Sequence, residues 1–288
     1  MDPLGHLQAT GIDAAGRKQD LYHERWRAHR DRAKFDSMVS FGERLPRLRR
    51  RVAADLRPAG AEAGRLGPPV LGAELVTACA VRLLDLGFFR IGSEDYANRN
   101  DSYGLTTMLR RHVAIEGGLL VFDFPAKSGQ RRVQAVADAE SLAVVAALKR
   151  RRGGQQLLAY RDGRRWRGLH AEEVNEYIKG AAGGEFTAKD FRTWNATVLA
   201  AVALAARAET PAGRRERAVS AAIKTVAAYL GNTPAVCRAS YVDPRIVDRF
   251  KAGITIVPAL GALNGDGPDL ARPRVRRRVE SAVLELLG

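Results

Sequence analysis

Cysteine and histidine are scarce in this chain, which has only two cysteines and five histidines in 288 residues. Cys79 and Cys237 stand far apart and form no CxxC pair, so the sequence predicts neither a disulfide framework nor a zinc site and favours a reducing compartment. The histidines also lack the spacing of metal ligands (His6, His23, His29, His112 and His170). We therefore expect no metal and no cofactor.

Long apolar runs and nucleotide-binding motifs are missing as well. No stretch of about 18 apolar residues and no signal peptide is visible, so we expect a cytoplasmic, nucleoid-associated protein without membrane contact. A GxxxxGK[ST] loop is absent, as is any carboxylate cluster with metal-binding spacing. These absences argue against nucleotide hydrolysis and against catalysis at a bound metal ion.

Acidic residues are outnumbered by basic ones. The chain has 47 Lys and Arg against 32 Asp and Glu, a formal net charge of +15. The surplus is mostly arginine, spread from Arg17 to Arg278. A surplus of this size favours an extended polyanion over a small acidic substrate, so nucleic acid is the predicted partner.

The N-terminal part of the chain predicts a small hairpin and a basic helical segment. His6–Thr10 and Lys18–Tyr22 have the pattern of two strands around a glycine turn. Because a lone hairpin is marginal in water, we expect its neighbouring strands to lie upstream of Met1 and the lobe to be N-terminally shortened. The basic segment from His23 to Arg57 has a helical pattern with predicted breaks near Gly42 and Pro46.

A stretch rich in glycine, alanine and proline separates this part from the rest of the chain. We therefore predict a partial N-terminal lobe at residues 1–57, a linker at 58–69 and a larger domain at 70–288.

The larger domain is predicted to be mainly helical with small hairpins. A polar loop is expected at Ser93–Gly104, and a hairpin of Leu119–Phe124 and Arg131–Val136 is expected to place Lys127 at its tip. Another short strand pair is expected around Asp162 and Gly163. The helices are predicted at Val70–Leu86, Asp138–Arg152, His170–Ala182, Thr187–Arg207, Pro211–Leu230 and after Arg274. The predicted fold class is mainly α with small β hairpins (α+β).

The stretch from Leu230 to Val242, LGNTPAVCRASYV, places a phenol beside a guanidinium. Gly231 suits the end of a helix, and Pro234 suits the first turn of the next one. That short helix carries Arg238 and Tyr241. A tyrosine on a short basic helix is most often a packing residue, so this stretch predicts chemistry only together with residues elsewhere.

Three basic residues join that stretch as candidates. Arg90 lies in FFRIGSEDY, Lys127 at the hairpin tip, and Arg192 in KDFRTW. Each also has an ordinary structural interpretation: an arginine stacked on aromatic rings, a solvated lysine, and an arginine paired with a nearby acid. Their order along the chain, followed by Asn232 and Tyr241, favours a shared site.

That order resembles the type IB DNA topoisomerases, in particular the small poxvirus-like enzymes of bacteria. The matching segments are GHLQATGIDAAGRKQ, FRIGSEDYANRNDSYGLTTMLRRHV, FPAKSG, EFTAKDFRTWNA and YLGNTPAVCRASYVDP. The resemblance implies a C-shaped clamp with a β-rich N-terminal lobe and a mainly α catalytic lobe. It also implies relaxation of supercoiled double-stranded DNA by transient single-strand cleavage through a 3′-phosphotyrosine intermediate, without ATP.

The resemblance also implies a role for each candidate. Tyr241 is the expected nucleophile, Lys127 the general acid, and Arg90 and Arg192 the phosphate-binding arginines. Asn232 stands where many members carry a histidine. We expect the protein to act as a monomer, with DNA contacts from Arg17, Lys18, Tyr22, Tyr96 and Arg238. One departure is Asp20, at a position where members often carry an aromatic residue.

Two other classes of protein remain open. Tyrosine site-specific recombinases (integrases) use nearly the same residues, but a helical domain would precede the catalytic one, whereas His6–Tyr22 has the pattern of strands. A non-catalytic DNA-binding relative would carry the same residues without using them. Strand exchange between two sites would indicate the first class, and the absence of a covalent DNA adduct would indicate the second.

Overall fold

The computed structural model describes residues 5–12, 16, 18–62, 70–260 and 268–288. The chain divides into two compact units, Met1–Ser40 and Phe41–Gly288. Helix α1 (Glu24–Glu62) continues through the first five residues of the predicted linker, and residues 63–69 lie outside the described part. The lobe at 1–57, the linker at 58–69 and the domain at 70–288 stay predictions.

The first unit contains an antiparallel hairpin, as predicted. Strand β1 (Leu7–Ile12) extends two residues beyond the expected end and pairs with β2 (Lys18–Tyr22), with Thr10 opposite Asp20. Tyr22 stacks on Trp26 with ring centroids 4.5 Å apart. Most side chains of both strands are exposed.

The predicted breaks in the basic helical segment are wrong, because α1 runs without interruption through Gly42 and Pro46. Proline costs a helix one hydrogen bond and adds a steric clash. Burial of one helix face offsets that cost, since side chains at helical spacing are removed from water (Phe41, Leu45, Leu48, Val52 and Leu56). Gly42 is part of this packing, because a Cβ there would lie 2.6 Å from the Trp194 ring.

The second unit is mainly helical. The predicted helices are confirmed. The segment Ser93–Gly104, which was expected to be a polar loop, contains a short helix. Its residues are mostly polar, so the sequence shows no apolar periodicity there. The helices are α2 (Ala73–Gly87), α3 (Glu94–Asn100), α4 (Ala139–Arg150), α5 (Ala171–Ala182), α6 (Ala188–Ala205), α7 (Arg215–Leu230), α8 (Pro234–Ser240), α9 (Pro244–Lys251), α10 (Val257–Leu260) and α11 (Pro273–Leu287). Helix α7 starts later than expected, after a 3-10 turn at Ala212–Arg214. None of the described helices is long and apolar enough to cross a membrane.

The strands of this unit form two small antiparallel sheets. The predicted hairpin is confirmed as β4 (Leu119–Pro125) and β5 (Arg131–Val136), and an unpredicted strand, β3 (Val113–Glu116), adds to β4. The second expected strand pair is β6 (Ala159–Asp162) with β7 (Arg165–Gly168). Helices with small hairpins confirm the predicted fold class.

Helices α2 and α6 lie at the centre of the core, and both lead to the candidate site. Helix α2 is buried on nearly every side, and α6 contributes Phe191 and Trp194, both fully buried. Thr187 caps α6 while the Asp190 carboxylate accepts the Thr187 backbone N–H, which is the capping box expected from the sequence. The start of α6 is therefore fixed about one turn ahead of Phe191 and about two turns ahead of Trp194.

Candidate active site

Tyr241 occupies the end of a short helix whose start is set by its sequence. Helix α7 stops at Gly231, which has φ +62°, and α8 begins with Thr233 as its cap and Pro234 in its first turn. The Tyr241 backbone N–H donates to the Cys237 carbonyl at 3.0 Å. Its carbonyl accepts from the Thr197 hydroxyl of α6 at 3.2 Å. The backbone of this half-buried tyrosine is therefore anchored to the core.

Arg192 lies beside this tyrosine and is almost completely buried, with 5% of its surface exposed. Its guanidinium carbon lies 5.2 Å from the centroid of the Tyr241 ring. It donates to the carbonyl of Phe88 and, at 3.0 Å, to that of Leu230. Its Nε is buried without a hydrogen-bond partner. A buried charge whose partners are neutral carbonyls and a phenol, with one N–H left over, keeps capacity for an anion.

The electrostatics of Arg192 reflect this setting. Burial lowers the pKa of its guanidinium to about 10, the positive charge of Arg90 adds to the decrease, and the Tyr241 phenol opposes it. Arg192 therefore stays charged at neutral pH, but burying this charge beside Arg90 costs free energy. A bound phosphate would relieve that cost.

The segment that carries Arg90 is pinned at the end of α2. Phe88 closes the helix in the left-handed conformation (φ 54°), and the buried Phe89 packs edge-to-face on Phe122 of β4, with centroids 4.7 Å apart. The Arg90 carbonyl accepts from the Leu105 N–H at 2.8 Å. These contacts fix the backbone at Arg90, and the Arg90 side chain extends from it to the site.

Two glycines allow the chain to fold closely beside Arg90. Gly92 has φ +97°, and a Cβ on Gly104 would lie 2.4 Å from the Gly92 Cα. Only glycine fits such an approach of two backbones. The spacing of these glycines in the motif FRIGSEDYANRNDSYG thus has a structural cause.

Arg90 reaches the same helix end as Arg192. Its Nη2 donates to the Asn232 side-chain oxygen at 2.5 Å and to the Gly231 carbonyl at 3.2 Å. The Asn232 Nδ2 is buried and has no hydrogen-bond partner. The four residues Arg90, Arg192, Asn232 and Tyr241 are therefore brought together, although they come from widely separated parts of the chain.

Sequence reasoning missed a fifth side chain at this place, Arg132 of β5. It donates to the carbonyl of Tyr229, and a Cβ on Gly231 would lie 2.5 Å from its Nη1. The detectable signal was strand alternation: Arg131 and Val133 face outward, so Arg132 is an arginine at an inward position.

The C-terminal end of α7 is thus the centre of the site. Its last carbonyls, on Tyr229, Leu230 and Gly231, accept hydrogen bonds from Arg132, Arg192 and Arg90 respectively. Carbonyls at a helix end lack partners within the helix and carry its negative partial charge, so they attract cations. Three guanidinium groups from three separate elements are gathered there.

Lys127 is placed differently from the other candidates. It is exposed in a 3-10 turn (Lys127–Gly129) at the tip of the β4–β5 hairpin, which is closed by an Ala126 N–H to Gln130 carbonyl bond of 2.8 Å. Within the described residues, no contact that joins the other four candidates involves its ammonium group. The hairpin does reach α7, through Arg132.

The expected DNA-contacting residues are only partly described. Lys18 is exposed and lies 3.5 Å from the Asp20 carboxylate, which also faces solvent. Arg238 is exposed on α8 and pairs with Glu216 at 3.0 Å. Tyr22 is half-buried against Trp26 in the first unit. Arg17 and the side chain of Tyr96 lie outside the described residues. In the described part of the chain, no group of three or more His, Cys, Asp or Glu could hold a metal ion.

A mainly helical lobe that brings a tyrosine to two arginines and an amide is the arrangement that the resemblance to the type IB DNA topoisomerases implies. Two comparisons bear on the family. The family model described as the catalytic core of eukaryotic DNA topoisomerase I matches residues 23–256. A protein named DNA topoisomerase 1B from Acanthamoeba polyphaga mimivirus is 29% identical over 249 residues, covering 84% of this chain and 71% of the relative. The chain belongs to the type IB DNA topoisomerase family.

Proposed function

We propose that this protein relaxes supercoiled double-stranded DNA by cutting one strand through Tyr241 and resealing it. The observation that carries the proposal is the buried guanidinium of Arg192, which lies over the Tyr241 ring and has no carboxylate partner within the described residues. Family membership supplies the reaction class, and this arrangement supports the proposed roles of the residues.

In the cleavage step, the Tyr241 oxygen forms a bond to phosphorus while the bond from phosphorus to the 5′ oxygen breaks. The phenol gives its proton to water, and the leaving 5′ oxygen takes one from Lys127, the general acid. A tyrosine has an ordinary pKa of about 10, so its oxygen attacks well only where developing charge is stabilised. Resealing is the same step in reverse, with the 5′ hydroxyl as nucleophile.

Arg90 and Arg192 supply that stabilisation. Attack builds negative charge on the non-bridging oxygens, and forked guanidinium donors match their geometry. The Asn232 Nδ2, which has no partner in the structure, donates a further hydrogen bond to the same oxygens. The role played by a metal ion in other phosphoryl-transfer enzymes falls to these groups.

The covalent phosphotyrosine retains the energy of the broken ester, so the cycle needs neither ATP nor a metal. We further propose that the protein acts as a monomer in the cytoplasm, associated with the nucleoid. Lys18, Tyr22 and Arg238, together with Arg17 and Tyr96, are the proposed contacts to the DNA.

The test mixes the protein with supercoiled plasmid, without ATP and with a chelator, and then denatures it. We expect relaxed topoisomers and a protein–DNA adduct with wild type. Tyr241→Phe should abolish both while leaving DNA binding nearly intact. Tyr229→Phe is the matched control, because Tyr229 is 56% exposed and its hydrogen bond to the site comes from its backbone carbonyl. Relaxation by the Tyr241 variant would show that another residue is the nucleophile.

A further inference from the structure

The surroundings of Arg132 are those of a residue that contacts the substrate and does not only stabilise the fold. Its β5 neighbour Arg131 is 75% exposed on its side chain and pairs with Asp123 across the hairpin. Arg132 lies on the other face, opposite the buried Phe124, and points toward the end of α7. The two adjacent arginines therefore differ in surroundings although they share a strand.

The charge balance around Arg132 is unusual. Burial lowers the pKa of its guanidinium, and the positive charge of Arg90 lowers it further. Arg132 in turn contributes to the lowered pKa of Arg192. In the described part of the chain, none of these three arginines lies within 4.0 Å of a carboxylate. Three like charges are held together without a counter-charge.

The end of α7 explains only part of this arrangement. Neutral carbonyls at a helix end attract a cation only weakly, and this attraction is smaller than the cost of holding several desolvated charges close together. One guanidinium has five N–H donors, and the described hydrogen bond to Tyr229 uses one of its nitrogens. The remaining donors are available to an anion between the three arginines.

We propose that Arg132 is a third phosphate-binding arginine of this site and contacts a non-bridging oxygen of the phosphodiester held by Arg90 and Arg192. This inference rests on the proposed function, which supplies the phosphodiester. Arg132 then adds to transition-state stabilisation, because negative charge on these oxygens grows during attack.

The experiment measures single-turnover cleavage of a duplex that carries either a normal phosphodiester or a neutral methylphosphonate at the cleaved position. On the normal substrate, Arg132→Ala should lower the rate on the order of 10²-fold, the usual loss for one donor to a developing charge. Arg132→Lys should cleave at a rate between those of wild type and Arg132→Ala, because an ammonium keeps the positive charge but cannot donate two parallel hydrogen bonds as a guanidinium does. Arg131→Ala, the matched control on the same strand, should cleave like wild type.

On the methylphosphonate, the defect of Arg132→Ala should shrink to within about threefold of wild type, since the charge that Arg132 neutralises is gone. A role confined to holding α7 would leave the defect unchanged by the phosphonate and would overturn the inference. A defect cured instead by a sulfur leaving atom would also overturn it, by assigning Arg132 to the positioning of Lys127. If Arg132→Ala does not fold, Arg132→Lys is put through the same comparison.

The same assay separates this inference from the proposed function. Wild-type protein that forms no covalent adduct on the normal substrate would overturn both. Wild-type protein that forms the adduct, together with an Arg132→Ala variant that cleaves at the wild-type rate, would overturn only the role of Arg132.

Discussion

The Nη2 of Arg90 donates to the side-chain oxygen of Asn232 at 2.5 Å, and this bond fixes which way the amide faces. With its oxygen turned toward Arg90, the amide presents its Nδ2 on the other side, where it is buried and without a partner. The amide can thus replace the two nitrogens of a histidine ring. Its oxygen is held by Arg90, and its nitrogen remains available as a donor.

Replacing Asn232 should separate these two functions. Asn232→Ala should lower the single-turnover cleavage rate on the order of 10²–10³-fold, because one donor to the developing charge is lost. Asn232→Asp keeps an acceptor for Arg90 but has no donor and adds a negative charge beside the phosphate. We therefore expect the Asp variant to cleave no faster than the Ala variant.

Asn232→His is the control for this pair, because an imidazole can supply a donor at the same position. It should retain much more activity than either of the other variants. Wild-type rates with Asn232→Asp would show that the amide donates nothing to the substrate and serves only to hold Arg90.

Lys127 should act at a different point of the reaction from the arginines. If it protonates the leaving 5′ oxygen, Lys127→Ala should lower the cleavage rate on the order of 10²–10⁴-fold. A substrate with sulfur at the leaving position needs no such proton and should restore most of the rate. Arg90 and Arg192 variants should gain little from sulfur, because their partners are the non-bridging oxygens.

The matched control is Lys224→Ala, which removes an exposed lysine from the outer face of α7. It should cleave both substrates at the wild-type rate. Equal defects of Lys127→Ala on the oxygen and sulfur substrates would move Lys127 from general-acid catalysis to phosphate binding.

Local sequence signals predicted much of this site, because the structure there is set by neighbouring residues. Gly231, Thr233 and Pro234 give the end of one helix and the start of the next, so the short helix before Tyr241 was predictable, although Tyr241 follows its last residue, Ser240, and does not lie within it. The capping residues Thr187 and Asp190 gave the start of α6 in the same way.

What the sequence could not predict depends on partners that lie far apart in the chain. The inward position of Arg132 has meaning only once Tyr229, 97 residues away, is known to lie opposite. The continuity of α1 through Pro46 depends likewise on the burial of one face against the second unit's own core. Periodicity detects an amphipathic face but not what covers it.

A network of buried charged side chains also depends on residues that lie far apart in the chain. It connects the helices that lead to the site. Asp85 of α2 accepts from Arg49 at 2.9 Å and from Arg276 at 2.6 Å, and both arginines also contact Glu280 of α11. The Asp85 backbone carbonyl accepts from the side chain of Asn195 at 3.2 Å. The network therefore joins α2, which leads to Arg90, with α6, which carries Arg192.

The acid dependence of stability should report on this network. Burial alone would raise the pKa of the Asp85 carboxyl, but the charges of Arg276 and Arg49 outweigh it and lower the pKa from 3.8 to about 2. Because the folded state holds the proton less tightly than the unfolded state, the stabilisation is complete above the unfolded pKa. It is lost as the pH falls from about 4 to about 2.

We expect this loss to be about 2 kcal/mol in the free energy of unfolding, measured by urea denaturation across that pH range. Asp85→Asn removes the titrating group, so it should be less stable at neutral pH by about 3 kcal/mol, the usual cost of removing one partner from a buried ionic network. Its stability should also fall less steeply in acid. Asp123→Asn removes an exposed carboxylate paired with Arg131, so its free energy of unfolding at neutral pH should be close to that of wild type. If Asp85→Asn lost stability in acid as steeply as wild type, the titration would belong to other carboxylates and the network would not be its source.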